Sequence, residues 1–387
     1  FQNYIDAIQE ETLSSYPLAI EQTNTDLSSI METLLKHGKE ESDHEMDGVY
    51  KRSSVYEIVN AFNDTEGNEN DLRSFKAFVE KEKSDENSPL HETLNGVQYS
   101  YDYDMLVYTK NVDGSIIISD AQQLMSELIA ESMNIDMSMM SSASSSPMMG
   151  GGMMTSNTAG KLWQEMLSGR NGELISPLIE KQYDLVYGSW PTSYDEIVLV
   201  LDSSNQLNDL ALYALGLEPK EEIDTIMDAA MNGKTLGEFK QKKWSYQEVC
   251  DSEYRIVLNS DCYSYDEATG LYTDLRETDT GLQYLYDKGL PVKISGIIRP
   301  DEDATAAMLT GSIGYTKELT EYIISNSREA DVIKAQLDAP DKDVISGLPF
   351  KSNTGTLSDD EKEEVFRKYI GSMNQQDKIA VFMQLST

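Results

Sequence analysis

Basic residues are what this chain has least of relative to its acids: 31 Lys and Arg stand against 68 Asp and Glu, a formal net charge of −37. Such a surface repels phosphodiester backbones and anionic lipid headgroups, and no basic patch with interleaved aromatics interrupts it, so nucleic acid is excluded as a partner. Cysteine is equally scarce. The two present, Cys250 and Cys262, are too few for a disulfide scaffold or a structural zinc site. EYRIVLNS lies between them and reads as a strand. Six extended residues cover about 20 Å, whereas bridged Cα atoms lie within about 7 Å; two unpaired thiols are therefore the expected state. Long apolar runs are missing too, the strongest being Ile197-Val198-Leu199-Val200-Leu201, far short of the roughly 20 residues that span a bilayer. Phe1 opens the chain with no charged-then-apolar leader after it, which is expected of a processed product or a segment of a longer polypeptide.

Catalytic and metal-binding patterns are missing as well. Of the three histidines, His37 and His44 frame KHGKEESDH, but Gly38 ends the preceding helical pattern and no HExxH, CxxC pair or third histidine supports a zinc site. His37, His44 and His91 are expected as solvent-exposed loop residues. There is no G-x-S-x-G elbow, Walker A loop or GxGxxG, and the glycines at 150–152 lack both the Lys-Ser/Thr end and a preceding strand. DSSNQLND, residues 202–209, glances at a calcium loop, yet Ser and Gln hold its third and fifth positions and no glycine holds the sixth. Its Asn208 or Asp209 reads instead as the N-cap of the next helix. No catalytic residue, metal site or cofactor is expected, and the chain is not read as an enzyme.

What is present is ordinary globular material, 39% hydrophobic and 26% charged. At 387 residues it is too long for one ordinary core, so two domains, or one with a large insertion, are expected. DLSSIMETLLKHG, DLRSFKAFVEKEK and AQQLMSELIAESM have helical periodicity, the second with Leu72, Phe75, Phe78 and Val79 facing inward. AGKLWQEMLSG is read the same way, with Leu162, Trp163, Met166 and Leu167 on one face. VQYSYDYDMLVYTK and GSIIISD read as strands joined by a turn at Val112-Asp113-Gly114. KQYDLVYGSWPTSYDEIVLVLD reads as a strand, a Gly-Ser-Trp-Pro turn and a second strand. NDLALYALGL and EEIDTIMDAAMNG are helical, CYSYDEATGLYTDL is a hairpin turning at Asp266 to Gly270, LPVKISGIIRP is a strand and TKELTEYIISNS a helix. The tail from 360 to 385 reads as two helices broken near Gly371. Short strands mixed with helices, without regular βαβ spacing, give an α+β fold.

Two stretches stand out. Tyr99, Tyr101 and Tyr103 alternate along one strand face, either as a half-buried strand or as a stripe that stacks sugars or a partner. Residues 133–154, MNIDMSMMSSASSSPMMGGGMM, hold eight of the 18 methionines. Thioethers suit soft Cu(I) or Ag(I) ions, but no nearby His or Cys supports such a site. Two readings remain, a plain loop at a domain seam and an adaptable apolar contact surface built on Met139, Met140, Met148, Met149, Met153 and Met154.

Three phrases are similar to a known family. GSWPTSYDEIVLVLD (188–202), LPVKISGIIRPDEDA (290–304) and SIGYTKELTEYII (312–324) resemble the extracytoplasmic domain of ABC transporter permeases of the MacB/FtsX type, in the large form found in Gram-positive bacteria. FQNYIDAIQEETLSSYPLAIEQT resembles that family's segment just outside the first transmembrane helix. The resemblance covers about half the chain, chiefly 183–337. It implies two subdomains: a membrane-proximal, porter-like α+β unit from residues 1–135 and 346–387, and an inserted distal unit at 161–345, with 136–160 as the flexible Met/Ser/Gly loop. It places the chain at the extracytoplasmic side of the cell membrane. The partners it implies are the transmembrane helices of the same permease, a cytoplasmic ATPase subunit or domain, a second permease copy and an extracellular adaptor protein. The implied role is to couple ATP hydrolysis to export of, or mechanical action on, amphipathic drugs, peptides or lipoproteins. The competing reading is a stand-alone cell-surface module that binds a glycan or a protein.

Overall fold

The computed structural model describes residues 18–24, 68–124, 162–231 and 242–350 with short gaps, and isolated residues from 362 to 378. The chain divides into two compact units, one at Tyr16–Asn95 and the other made of Phe1–Ser15 and Gly96–Thr387.

In the first unit β1 (Thr23–Asn24) pairs antiparallel with β2 (Asn68–Glu69). Helix α1 (Leu72–Ser84) starts where the Asp71 carboxylate accepts the Ser74 N–H at 3.0 Å. Helix α2 (Pro89–Thr93) starts at Ser88, with proline in the first turn where a missing N–H costs nothing. The expected inward face of α1 needs correction. Val79 is buried, but Phe75 and Phe78 are 42% and 51% exposed and stack on each other at 6.5 Å. Periodicity identifies a shared face; it does not say whether anything covers that face.

The second unit is built on one sheet. Its elements, in chain order, are β3 (Leu106–Lys110), β4 (Ile116–Ile118), β5 (Trp163–Glu165), α3 (Pro177–Gln182), β6 (Tyr183–Gly188), β7 (Glu196–Val200), α4 (Asp209–Ala214), α5 (Lys220–Met231), α6 (Tyr246–Cys250), β8 (Tyr254–Val257), β9 (Tyr263–Asp266), β10 (Leu271–Asp274), α7 (Asp279–Lys288), β11 (Leu290–Pro300), β12 (Ile313–Tyr315), α8 (Lys317–Arg328) and α9 (Asp331–Asp338). Eight strands form the sheet in the order β4-β3-β8-β11-β7-β12-β5, with β6 also on β11; β9 and β10 form a separate hairpin. The fold is α+β, as the mixed sequence pattern predicts.

β11 is the hub. Its first residues pair antiparallel with β8, and its second half pairs antiparallel with β6 on that same edge and parallel with β7 on the other. So β6 and β7, consecutive in sequence and expected as strand-turn-strand, are separated by a strand that arrives 90 residues later. Alternation places Ile197, Leu199 and Leu201 in one core with α4, α6 and α8, and Val198 and Val200 in another with Ile179 of α3. The register between β11 and β7 slips between Ile294 and Gly296, making Ser295 a bulge residue. The extra residue keeps Ile294 and Ile297 on one face, both in the larger core.

The crossing from β6 to β7 relies on two facing glycines. Gly188 has φ +75°, and a Cβ there would lie 2.2 Å from the Ser295 carbonyl oxygen. A Cβ on Gly296 would lie 2.4 Å from the Ser189 carbonyl oxygen. Backbone therefore packs on backbone, and the Ser295 hydroxyl ties the junction by donating to the carbonyls of Ser189 (3.1 Å) and Ile197 (3.3 Å).

Two further expectations are revised. AGKLWQEMLSG supplies strand β5, not a helix: Trp163–Glu165 pairs parallel with β12, and the Trp163 indole N–H donates to the Ser119 carbonyl at 3.0 Å. The strand within VQYSYDYDMLVYTK begins only at Leu106, so the Tyr99/Tyr101/Tyr103 stripe is irregular backbone, with Tyr101 exposed and the Tyr103 hydroxyl 3.2 Å from Thr320 Oγ1. β3 and β4, grouped by the sequence reading with the first part, hydrogen-bond into the sheet made by residues 163–315.

Candidate functional site

Beside β8 and the start of β11 the second unit opens into a groove of about 670 Å³. Its walls come from residues 256–290 and from Tyr322 and residues 329–332. A 3-10 turn at Asn259–Cys262 follows β8 and carries Ser260 and Asp261. The hairpin comes next, where Asp266 caps its own turn by accepting the Ala268 N–H at 2.9 Å. Tyr263 and Tyr265, two apart on β9, both line the groove. Tyr272 sits directly opposite Tyr265 in register, the rings 5.4 Å apart at 61°. Tyr284 of α7, 53% exposed, and Tyr322 of α8 complete five lining tyrosines. Tyr322 stacks on Tyr194 at 5.0 Å and 18°.

A polar tether holds one of these rings. The Arg276 guanidinium clasps Asp274 through Nε (2.9 Å) and Nη2 (2.5 Å) and donates to the Tyr263 hydroxyl at 3.2 Å. Burial alone would raise the Asp274 pKa, but hydrogen bonds and charge from Arg276 bring it below the usual carboxylate range. Beneath the rings, Val257, Cys262, Leu285 and Tyr286 pack as an apolar floor. Burial pushes the Cys262 thiol up to about 11, so it is no nucleophile at neutral pH. Cys250 is likewise unpaired.

The charge of the lining is lopsided. Asp261, Glu329 and Asp331 contribute three carboxylates against the single ammonium of Lys288. Glu329 is bridged to Lys334 at 3.1 Å. Crowding by the groove wall pushes the Asp261 carboxyl up, because burial there disfavours the charged form. The Ser260 hydroxyl is buried, 7% exposed as a residue, and finds no hydrogen-bond partner among the described residues. Ser260, Ile256 and Val257 form the partition between the groove and a smaller cavity of about 220 Å³. Aromatic faces beside carboxylates can hold an apolar body and a cationic head together.

A second polar cluster lies at the start of α8. Thr320 Oγ1 donates to Glu165 Oε2, and Gln98 Nε2 donates to the Glu165 carbonyl at 3.0 Å. Burial raises the Glu165 pKa above the usual value. Thr316 Oγ1 and Glu318 Oε2 are buried there without hydrogen-bond partners among the described residues.

Sequence reasoning did not single out the groove. Its tyrosines come from four separate elements, and only their pairing in space makes a site; the alternation YSY of β9 was the available signal. Met139, Met140, Met148, Met149, Met153 and Met154 lie outside the described residues, as do His37 and His44. His91 belongs to α2, not to a loop, with Nδ1 2.7 Å from the Lys83 carbonyl oxygen. Residues 202–206 form a turn in which Asp202 accepts the N–H groups of Ser204 and Gln206, and Asn208 caps α4 by accepting the Ala211 N–H at 2.8 Å. Among the described residues no group of three or more His, Cys, Asp and Glu could hold a metal ion, and no helix is long and apolar enough to cross a membrane. Compared with family models, curated proteins and solved structures, the chain gives no match to any of them.

Proposed function

We propose that this chain is the extracytoplasmic domain of an ABC transporter permease of the MacB/FtsX type. It would couple cytoplasmic ATP hydrolysis to export of, or mechanical action on, amphipathic molecules outside the membrane. The observation that carries the reading is where the three resembling phrases fall. GSWPTSYDEIVLVLD contains β7, LPVKISGIIRPDEDA contains β11 and SIGYTKELTEYII contains β12, and these strands are hydrogen-bonded neighbours in one sheet. The glycines of the first two phrases, Gly188 and Gly296, meet backbone to backbone. The phrases therefore specify one packed unit, not scattered similarities. A sheet with helices on both faces and close-packed cores suits a part that moves as a rigid body, passing displacement from membrane helices to what it grips. The mechanism then needs no chemistry in this domain, with ATP hydrolysis supplied by a separate cytoplasmic subunit or domain.

The gene supplies the test. The reading frame is expected to encode an apolar helix running into Phe1 and another following Thr387, each of about 20 residues, beside a reading frame for an ATPase. A secretion signal before Phe1 and a cell-wall anchor after Thr387, with neither helix, overturns the proposal. The tyrosine groove gives the second reading, a stand-alone surface module that binds a glycan or protein, its one supporting observation; that gene arrangement would favour it.

A further inference from the structure

We infer that the groove beside β8 is a binding site for a cationic amphipathic chain, with its apolar side on the tyrosines and its ammonium or guanidinium group among Asp261, Asp331 and Glu329. Three independent features support this. The first is shape: about 670 Å³ holds several side chains of a peptide. The second is the lining chemistry. Tyr265 and Tyr284 are 56% and 53% exposed beside the groove's floor, and aromatic faces attract cations while their bodies bury apolar groups. No hydrogen bond or ion pair within the described residues engages the Asp261 carboxylate, although desolvation already disfavours its charge. A cation at that point would relieve this cost. The third is Ser260, whose buried hydroxyl on the partition between the two cavities lacks a partner among the described residues. Buried polar groups normally have one.

Charge decides among occupants. An anionic ligand would face three lining carboxylates, of which Glu329 is already bridged to Lys334, and a chain of net charge −37, with Lys288 the single cation among the described lining residues. A neutral oligosaccharide could stack on the rings but would leave Asp261 and Asp331 uncompensated; Glu329 already has Lys334. The inference does not depend on the chain being part of a transporter; it concerns what the groove holds.

The test is calorimetric titration of the 387-residue chain with a short leucine–lysine peptide of amphipathic helical order. Parallel titrations use the same peptide with glutamine for lysine, and a neutral oligosaccharide. Saturable binding of the lysine peptide alone is expected, weakening as salt is raised. Replacing both Asp261→Asn and Asp331→Asn should weaken it about tenfold, and Tyr284→Ala by about three- to fivefold, as expected for an exposed cation–aromatic contact. Asp331 and Tyr284 are exposed and Asp261 is solvent-accessible though partly desolvated by the groove wall, and circular dichroism checks that each variant is folded. The control pair Glu221→Gln and Glu302→Gln removes the same charge away from the groove and should leave affinity unchanged. The proposal fails if the control pair weakens binding as much as the groove pair, since attraction would then be to net charge alone. It fails equally if the groove variants bind normally, or if the oligosaccharide binds and the peptide does not.

Discussion

At the scale of single residues, the β6–β7 crossing rests on Gly188 and Gly296. Alanine at 188 would occupy left-handed backbone and press on the Ser295 carbonyl; alanine at 296 would press on the Ser189 carbonyl. Strain and overpacking together should cost about 2–4 kcal/mol for Gly188→Ala and about 1–3 kcal/mol for Gly296→Ala, read from urea midpoints. Alanine at Gly114, also at positive φ but with nothing within 4 Å, is the comparison that isolates the backbone share. Equal losses at 114 and 188 would mean the close approach contributes nothing. Glu165 provides a pH prediction. Burial raises its folded-state pKa above the ordinary 4.5, so folding tightens its hold on the proton. Its contribution therefore favours folding in acid and is lost as pH rises through the folded value. Glu165→Gln, neutral throughout and still able to accept from Thr320, should gain stability relative to the unmodified chain near pH 7, and the difference should close below pH 4.5. A gap that widens toward acid would show that the buried charge is not the cost.

At the scale of elements, what the sequence made legible was local. The hairpin at 263–274, the helix capped by Asn208, the β8 strand between the cysteines and the long β11 strand each carry their own turn or periodicity signal, and each forms where expected. What was not legible depended on partners distant in the chain. Leu162, Trp163, Met166 and Leu167 fit a helical stripe, yet pairing with β12 and the indole bond to Ser119 make that segment a strand. Phe75 and Phe78 fit an inward stripe and are exposed. The groove escaped notice for the same reason, since hairpin, α7 and α8 give no local sign of converging. These revisions predict unequal costs. Trp163→Ala, at a site 8% exposed, should lose about 3–5 kcal/mol, and Trp163→Phe about 1–2 kcal/mol for the lost N–H bond. Phe78→Ala, at an exposed site, should stay within about 0.5 kcal/mol. Comparable losses at 78 and 163 in chemical denaturation would restore the inward reading of α1.

At the scale of the whole molecule, the net charge of −37 sets the response to solvent. Like charges crowded on a compact chain repel more than the same charges spread along an unfolded one, so folding works against its own field. The exposed ion pairs offset little of this. Lys317–Glu321 at 3.0 Å and Lys334–Glu329 at 3.1 Å have both partners largely in solvent, where such pairs contribute about 0–1 kcal/mol. Screening should therefore stabilise the fold overall, although it weakens those pairs. Thermal unfolding in sodium chloride is expected to shift upward steeply from about 0.01 M to about 0.15 M, where the Debye length falls from about 30 Å to about 8 Å, and to flatten beyond. The same ionic range should weaken the lysine peptide's binding to the groove, because there the attraction is between opposite charges. Opposite salt slopes for stability and for peptide binding are the joint signature of one acidic field acting within the chain and on its ligand. A melting temperature that is flat below about 0.15 M and rises only near 1 M would instead point to salt-strengthened apolar burial and leave the self-repulsion without effect.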